Sequence, residues 1–242
     1  MPTKPIDTRT LLAFGAHPDD IEFGAGGIIA SESRAGTKVH LAVCSDGESA
    51  TSGTPAQRRQ EALRSAALLG ATIEFPTMGG DSHFERSVES TLKVARIIRK
   101  FAPRWVLCPT PEPDQHPDHA VLGSLVRDGA RLARYGGVAE LSDLPTHAIE
   151  QLWYYAVGPE GEPPGVDGVW YDLSEPGVVD LWKEAMAAHE TQLRTRRYLE
   201  LQLTRARLLG LRAGLEYAQA LYPADPMVVS SLGQLGRGAR QF

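Results

Sequence analysis

Two short segments of the chain hold an unusual density of histidine and aspartate. They are Ala16–Asp20 (AHPDD) and His116–His119 (HPDH). Such side chains are costly to bury unless a cation or a tight hydrogen-bond network compensates them. Two imidazoles and one carboxylate, with one ligand position left open, are a ligand set of catalytic zinc sites. The two segments together indicate a catalytic metal site, with a structural hydrogen-bond network as the alternative.

Each segment follows a predicted buried strand. The apolar run Leu11–Gly15 leads into the first segment, and Trp105–Cys108 precedes a Pro-rich loop that leads into the second. Ligands of open α/β sheets bind beyond the carboxyl ends of strands, where two neighbouring loops diverge. Pro117 suits the first position of a helix, which places His116 at the N-cap and His119 on the first turn. The spacing therefore predicts that both segments meet at one edge of a sheet.

The rest of the pattern predicts a Rossmann-like α/β fold. Strands and helices alternate at a short period over residues 11–132, which is typical of a doubly wound, mostly parallel sheet with helices on both faces. Helical stretches at 178–192 and 195–221 predict a C-terminal helical extension. The part after residue 140 has too little apolar sequence for a core of its own. We therefore expect a single domain over residues 1–242.

Composition excludes several classes of protein. The 242 residues carry a formal net charge of -5, which gives no support for binding to nucleic acid or to an anionic membrane. No apolar stretch near the N-terminus is long enough for a signal sequence or a membrane span. Only two cysteines, Cys44 and Cys108, are present. They cannot form a disulfide framework, so we expect a reduced, cytoplasmic protein.

The two His/Asp segments resemble those of the PIG-L/LmbE family of zinc-dependent N-acetylglucosamine de-N-acetylases. The resemblance extends over most of the chain, through Arg58–Ala62, Leu69–Gly70, Trp153–Tyr155, Asp172–Ser174, Lys183, His189–Gln192 and Gly214–Ala218. The last of these stretches, with its helical lead-in from Tyr198, is most similar to the bacillithiol-biosynthesis branch. That branch acts on N-acetylglucosaminyl-malate.

The resemblance implies a role for each matching residue. The implied metal ligands are His17, Asp20 and His119. Asp19 would be the general base towards a zinc-activated water, His116 would polarise the acetyl carbonyl or protonate the leaving amine, and Asp118 would orient His116. From ligand chemistry alone, the ion could equally be Fe²⁺ or Co²⁺. For Asp19 the competing interpretation is a carboxylate that caps a helix or simply belongs to the loop.

Substrate contacts are predicted at Arg58, Asp81 and Glu48. The bacillithiol branch carries an arginine-containing loop after the second strand, but the corresponding stretch here, Ser45–Gly53, holds no arginine. Either the group attached to the sugar differs, or Arg58 or its neighbour Arg59 replaces the missing residue. The implied partners are a small amino-sugar substrate and further copies of this chain in a homo-oligomer, without nucleic acid or membrane.

The leading hypothesis is a metal-dependent hydrolase that removes acetyl from an N-acetylglucosamine conjugate, with N-acetylglucosaminyl-malate as the expected substrate. Another conjugate or a chitobiose-type sugar is the alternative. A second class, an Fe(II) oxygenase, would use the same ligands but leave Asp19 and His116 without a task. A third is a sugar-binding module without activity, which has no need of a general base. A Gly-rich stretch at residues 24–27 lacks the spacing of a dinucleotide-binding loop, so we expect it to pack closely instead.

Overall fold

The computed structural model describes residues 9–113, 115–194 and 196–239. The strands are β1 (Thr10–Gly15), β2 (Lys38–Val43), β3 (Thr72–Glu74), β4 (Trp105–Pro109), β5 (Gln151–Tyr155), β6 (Val169–Asp172) and β7 (Ala218–Pro223). The helices are α1 (Asp20–Arg34), α2 (Pro55–Leu68), α3 (Val88–Phe101), α4 (Pro117–Ala133), α5 (Val178–Ala187), α6 (Glu190–Leu193) and α7 (Tyr198–Arg212). Within the described ranges, no helix is both long and apolar enough to span a membrane.

The strands form one seven-stranded sheet in the order β3-β2-β1-β4-β5-β7-β6. The first five strands are parallel, with Leu11 opposite both Val39 of β2 and Trp105 of β4. Strand β7 runs antiparallel to both of its neighbours. The prediction of an α/β fold with a mostly parallel sheet is therefore confirmed.

Helices cover both faces of the sheet because successive side chains of a strand point to opposite sides. In β1, Leu11 and Ala13 join an apolar core with residues of α1 and α5. Leu12 and Phe14 join a second core with residues of α3 and α4. Strand β1 is thus buried on both faces, as is usual for a central parallel strand.

This arrangement makes the carboxyl ends of β1 and β4 a point where the chain diverges. The two strands are adjacent and parallel, yet α1 packs on one face of the sheet and α4 on the other. The loops that leave β1 and β4 therefore separate and form a crevice between them. The two His/Asp segments begin in these loops and continue into the first turns of α1 and α4.

The first helix packs closely through its glycines. A Cβ atom on Gly24 would lie 2.2 Å from the Tyr155 ring, and one on Gly26 would lie 2.6 Å from the Trp182 ring. The Trp182 indole N–H also donates to the backbone carbonyl of Glu22 at 2.7 Å. These contacts support close packing as the reason for the glycines. They also fix the start of α1, where Asp20 lies.

The C-terminal prediction was partly wrong. Helix α7 ends at Arg212, and residues 218–223 form strand β7 instead of the end of a long helix. Leu, Ala and Glu in this stretch favour a helix locally, but Gly214 adopts a positive φ of 66°, which is typical of a residue that ends one. Strand pairing on both sides then outweighs local propensity.

Candidate metal centre and active site

The loop between β1 and α1 holds its side chains in an unusual backbone conformation. Asp19 has φ 112°, a left-handed value that is strained for any residue with a side chain. The backbone N–H of His17 donates to the Asp20 carboxylate at 2.8 Å, which closes the loop. Asp19 stands at the N-cap of α1, but its side chain makes no capping hydrogen bond. The capping interpretation of Asp19 therefore fails, and its carboxylate is available for another task.

The three residues of the predicted ligand set form a small triangle of side chains. His17 Nδ1 lies 3.2 Å from His119 Nε2 and 3.4 Å from an Asp20 carboxylate oxygen. The other Asp20 oxygen lies 3.0 Å from His119 Nε2. Ligands at about 2.0–2.1 Å from a tetrahedral zinc ion lie about 3.3 Å from one another. The spacing and the donor types of this triangle therefore fit a zinc ion.

Carboxylates also surround the second nitrogen of His17. Its Nε2 lies 3.2 Å from an oxygen of Asp118 and 3.2 Å from an oxygen of Asp81. The backbone N–H of Ser82 donates to the same Asp118 oxygen at 2.6 Å. A ligand histidine usually donates its other ring N–H to a carboxylate, which fixes the ring and its tautomer. His17 is thus placed to bind an ion through Nδ1 while Nε2–H donates to Asp118 or Asp81.

The electrostatics of the cluster favour a bound cation. Burial opposes ionisation of Asp20, but His119 and His17 hold the pKa of its carboxyl well below the usual range. Burial likewise opposes the charge on His17, yet Asp20, Asp118 and Asp81 raise the pKa of its imidazole well above 6.5. A divalent ion would take the place of the proton that these carboxylates attract. Two overlapping groups of possible ligands lie within 4.8 Å, namely His17/His116/His119 and His17/Asp81/Asp118.

His116 caps α4 and faces the other histidines. Its Nδ1 accepts the backbone N–H of Asp118 at 3.2 Å, and its ring centre lies 4.9 Å from that of His17. Partial burial and the nearby charges of His17 and His119 lower the pKa of His116. A neutral imidazole whose Nδ1 accepts carries its proton on Nε2. His116 therefore offers an N–H donor at the mouth of the crevice.

The structure places Asp118 differently from the role that the resemblance implies. Its carboxylate lies against the ring of His17, and it is the Asp118 backbone N–H that donates to His116. The first turn of a helix has free N–H groups, so this contact needs no side chain. Asp118 thus orients His116 through its main chain, while its carboxylate supports His17.

Asp19 has the environment of a proton acceptor. Burial is the main cause that raises the pKa of its carboxyl to about 6, and the charge of Asp20 acts in the same direction. The positive charges of Arg58, His189 and His17 oppose the shift. Arg58 Nη2 lies 3.6 Å from Asp19 Oδ2.

The two adjacent arginines of α2 have different surroundings. Arg58 is only 4 % exposed, and its guanidinium donates to the backbone carbonyls of Pro18 at 2.8 Å and Gly47 at 2.9 Å. Arg59 is exposed and pairs with the carboxylate of Asp46 at 3.0 Å. Arg58, predicted as a substrate contact, thus lies beneath the loop that carries Asp19 and ties it to the next loop.

Asp81 and Glu48, also predicted as substrate contacts, lie together beside His17. A Glu48 oxygen accepts the backbone N–H of Asp81 at 2.8 Å. In return, Asp81 accepts the backbone N–H of Ser49 at 3.0 Å. These reciprocal bonds hold the loops after β2 and β3 together. They bring both carboxylates to the rim of the crevice.

A buried pair behind the site was not foreseen from the sequence. His189 is 0 % exposed, and its Nε2 lies 3.3 Å from a carboxylate oxygen of Glu22. In the sequence, His189 appeared only within a stretch that resembles the family, and nothing singled out Glu22. Glu22 follows Asp20 by two positions and so projects from the other side of α1. The neighbouring aspartates, Asp19 and Asp20, did not indicate that Glu22 pairs with His189.

Fold and site together define an α/β protein with a metal-type His/Asp cluster at a divergence of parallel strands. The family model PIG-L, described as GlcNAc-PI de-N-acetylase, matches residues 12–130, which include both His/Asp segments. Over these residues the chain is similar to the PIG-L family, which agrees with the resemblance read from the sequence. The bacillithiol branch stays a prediction.

Known proteins that are similar to this chain include a deacetylase and a hydratase. Diacetylchitobiose deacetylase of Thermococcus kodakarensis is 27% identical over 202 residues, which is 77% of this chain and 71% of that protein. The 4-oxalmesaconate hydratase of Pseudomonas putida is 28% identical over 141 residues, 53% of this chain and 54% of that protein. Among solved structures, a conserved protein from Thermus thermophilus has a TM-score of 0.80 and 26% identity, over 90% of this chain and 96% of that one.

Proposed function

We propose that this protein is a metal-dependent deacetylase that hydrolyses the N-acetyl group of an N-acetylglucosamine conjugate. One observation carries the proposal, namely the triangle of His17 Nδ1, His119 Nε2 and the Asp20 carboxylate with a separate carboxylate, Asp19, next to it. A structural network would have no need of the second carboxylate. The family and the deacetylase relative support the same class of reaction.

The three residues of the triangle would hold the ion, and zinc suits two imidazoles and a carboxylate. Such an ion, when bound, lowers the pKa of a water molecule and polarises an acyl oxygen. Asp118 and Asp81 keep the ring of His17 in place for this purpose. Because ligands must be deprotonated, the affinity for the metal falls as the pH falls.

Asp19 takes the proton of the attacking water in this proposal. Its pKa of about 6 leaves it ionised near pH 7 but basic enough to accept a proton. The strained backbone at Asp19 and the bonds from Arg58 to the loop hold the carboxylate in one position. Rate effects of general bases are typically about 10²–10⁴-fold.

His116 donates its Nε2–H to the acetyl oxygen as negative charge develops there. The amide C–N bond then breaks, the acyl carbon keeps the hydroxyl of the water, and the amine takes a proton. That proton comes from Asp19, which returns the one that it took from the water. The products are acetate and the free amino sugar.

For the sugar conjugate, two candidates remain. N-acetylglucosaminyl-malate follows from the resemblance to the bacillithiol branch, and a chitobiose-type sugar follows from the deacetylase relative. The 28% identity to a hydratase introduces a second class, the addition of water to a carbon–carbon double bond. A bound metal and a carboxylate base could serve that reaction as well.

The test is acetate release by zinc-loaded protein from N-acetylglucosaminyl-malate, N,N′-diacetylchitobiose and free N-acetylglucosamine. We expect release from at least one sugar, and loss of release after chelation of the metal. The same preparation is assayed with an unsaturated dicarboxylate by loss of its ultraviolet absorbance. Hydration of that compound without acetate release from any sugar would overturn the proposal in favour of a hydratase.

A further inference from the structure

The side chain of His116, the proposed donor to the acetyl oxygen, is fixed by a local contact. It is exposed, and its Nδ1 accepts the N–H of Asp118, two residues further along the chain. Its ring also lies beside those of His17 and His119. The bond to Asp118 fixes the ring relative to its own helix. The position of His116 in the crevice therefore depends on the main chain that leads into α4.

Gln115, the residue before His116, is buried and uses both atoms of its amide group. Its Nε2 donates to the carbonyl oxygen of Thr110 at 2.9 Å and to the Thr110 hydroxyl at 3.0 Å. Its Oε1 accepts the backbone N–H of Val157 at 3.2 Å. A carbonyl cannot donate and a backbone N–H cannot accept, so these partners admit one orientation of the amide. Gln115 thus joins the loop after β4 to the loop after β5.

Thr110 and Gly161 extend this connection. Thr110 is 0 % exposed, its N–H donates to the carbonyl of Tyr155 at 2.9 Å, and its hydroxyl donates to the carbonyl of Gly161 at 2.6 Å. A Cβ atom on Gly161 would lie 2.1 Å from Gln115 Oε1, so a larger residue there would displace the amide. We call Gln115, Thr110, Val157 and Gly161 the Gln115 clamp.

The body of α4 is anchored separately from the Gln115 clamp. A Cβ atom on Gly123 would lie 2.4 Å from the carbonyl oxygen of Pro109, so the helix packs directly on the end of β4. Three apolar side chains of the helix lie in the core, namely Leu122, Leu125 and Val126. His119 belongs to the helix itself, whereas His116 stands at its N-cap. Loss of the clamp should therefore displace His116 more than His119.

We infer that Gln115 is a positioning residue, which holds the loop before α4 so that the Nε2–H of His116 is directed at the acetyl oxygen. This inference rests on the proposed function and assigns a further residue to the same site. A donor to a developing oxyanion is effective at about 2.7–3.1 Å from that oxygen. A displacement of about 1 Å can therefore lower the rate substantially.

The first experiment replaces the amide of Gln115 by an apolar group of similar length. Gln115→Met should lower kcat for acetate release by at least about tenfold and change KM by less than about threefold, because the donor acts in the transition state. Zinc content should match that of the unsubstituted protein, since the body of α4 holds His119. Loss of zinc, or a rise in KM with kcat intact, would contradict the inference.

The matched control is Gln202→Met. Gln202 is also buried, and its Nε2 donates to the carbonyl of Val157 at 2.8 Å, so the control loses a bond to a residue of the Gln115 clamp. Its recorded bonds do not reach the loop before α4. We expect kcat to change by less than about twofold in this variant. An equal fall of kcat in Gln202→Met and Gln115→Met would indicate a general structural role and overturn the inference.

A double-mutant cycle tests whether Gln115 acts through His116. In the His116→Ala background, Gln115→Met should lower kcat by less than about a further twofold, because the group that it positions is already absent. An equal fall in both backgrounds would contradict the inference. Thr110→Val removes the hydroxyl between Gln115 and Gly161 but keeps the side-chain shape. It should show the same pattern with a fall of about threefold, and it replaces Gln115→Met if that variant does not fold.

A readout without turnover uses the imidazole nitrogen resonances of isotope-labelled protein. The signals of His116, assigned by their absence from His116→Ala, should shift or broaden in Gln115→Met. Those of His147, which bonds to the carbonyl of Pro103, should not change. Unchanged His116 signals would overturn the inference and leave the deacetylase function intact. Absence of acetate release from every sugar by the unsubstituted protein would instead overturn the proposed function, and the catalytic part of this inference with it.

Discussion

The first turn of α1 presents carboxylates to two histidine clusters that differ in charge balance. On one side, Asp20 joins His17 and His119 in a crevice that also contains Asp19, Asp81 and Asp118. On the other side, Glu22 pairs with His189, and His189 has no exposure to solvent. Both clusters are built from the same residue types, a few ångströms apart along one helix.

The difference lies in how each cluster is neutralised. Burial opposes the charge on both Glu22 and His189. However, His189 lowers the pKa of Glu22, and Glu22 raises the pKa of His189, so the pair stays ionised. Asp19 and Glu61 also raise the pKa of His189, so the charge of this histidine is balanced by groups of the protein itself. At the crevice, carboxylates outnumber the groups that balance them, so the cluster is complete only with an added cation. We propose that excess negative charge distinguishes the candidate metal site from a pair that supports the fold.

Removal of a metal ligand should have the largest effect. His119→Ala deletes one corner of the ligand triangle, so zinc content measured by elemental analysis should fall far below one ion per chain, and acetate release should be lost. The control is His147→Ala, because His147 bonds to the carbonyl of Pro103, which precedes β4 at the opposite edge of the sheet. Full zinc content in His119→Ala would contradict the assignment of the ligand triangle.

Asp19→Asn should leave the ion bound but slow the chemistry. The amide keeps the shape of the side chain and cannot accept a proton, so kcat should fall by about 10²–10⁴-fold with little change in KM. Zinc content should match that of the unsubstituted protein. If turnover is unchanged, Asp19 is not the base.

The buried pair should matter for stability instead. His189→Leu leaves Glu22 buried without its partner and should lower the free energy of unfolding by about 3–5 kcal/mol. Zinc content, measured below the unfolding transition, should not change. A loss of zinc that exceeds the unfolded fraction would show that the pair belongs to the metal site after all.

The same variant has an expected pH dependence. Glu22, Glu61 and Asp19 face His189 and raise its pKa despite burial, so its stabilising effect is complete below 6.5 and declines as the pH rises through the raised value. The stability difference between the unsubstituted protein and His189→Leu should therefore shrink at alkaline pH in denaturant titrations. Burial lowers the pKa of His40. The stability difference between the unsubstituted protein and His40→Leu should therefore grow as the pH rises. A difference that grows with pH for His189 would contradict the ionised pair.

Substitutions of the two adjacent arginines should have the smallest effects. Arg58→Met removes the bonds to the carbonyls of Pro18 and Gly47, and a less precisely held Asp19 should lower kcat by about 10–100-fold. Arg59→Met should change it by less than about twofold, because an exposed ion pair contributes little. A rise in KM with kcat intact in Arg58→Met would instead support the substrate contact that the sequence predicted.

Much of the molecule could be predicted from the sequence because the relevant signals are local. The run of apolar residues in β1 and β4, followed at once by polar segments, predicted where the His/Asp clusters would lie. Proline at the first position of α4 correctly placed His116 at the N-cap. In contrast, β7 was missed because its local composition resembles a helix, and only its pairing with β5 and β6 makes it a strand.

By itself, the sequence determined the alternation of strands and helices and the residue types of the candidate ligands, since both follow from short-range pattern and chemistry. Only the tertiary structure decided which charged or polar group each of these side chains contacts. It turned Glu22 towards His189, buried Arg58 under the Asp19 loop and placed the carboxylate of Asp118 on His17. These contacts join residues from about 40 to 170 positions apart, and such distances carry no periodic or neighbouring signal in the chain.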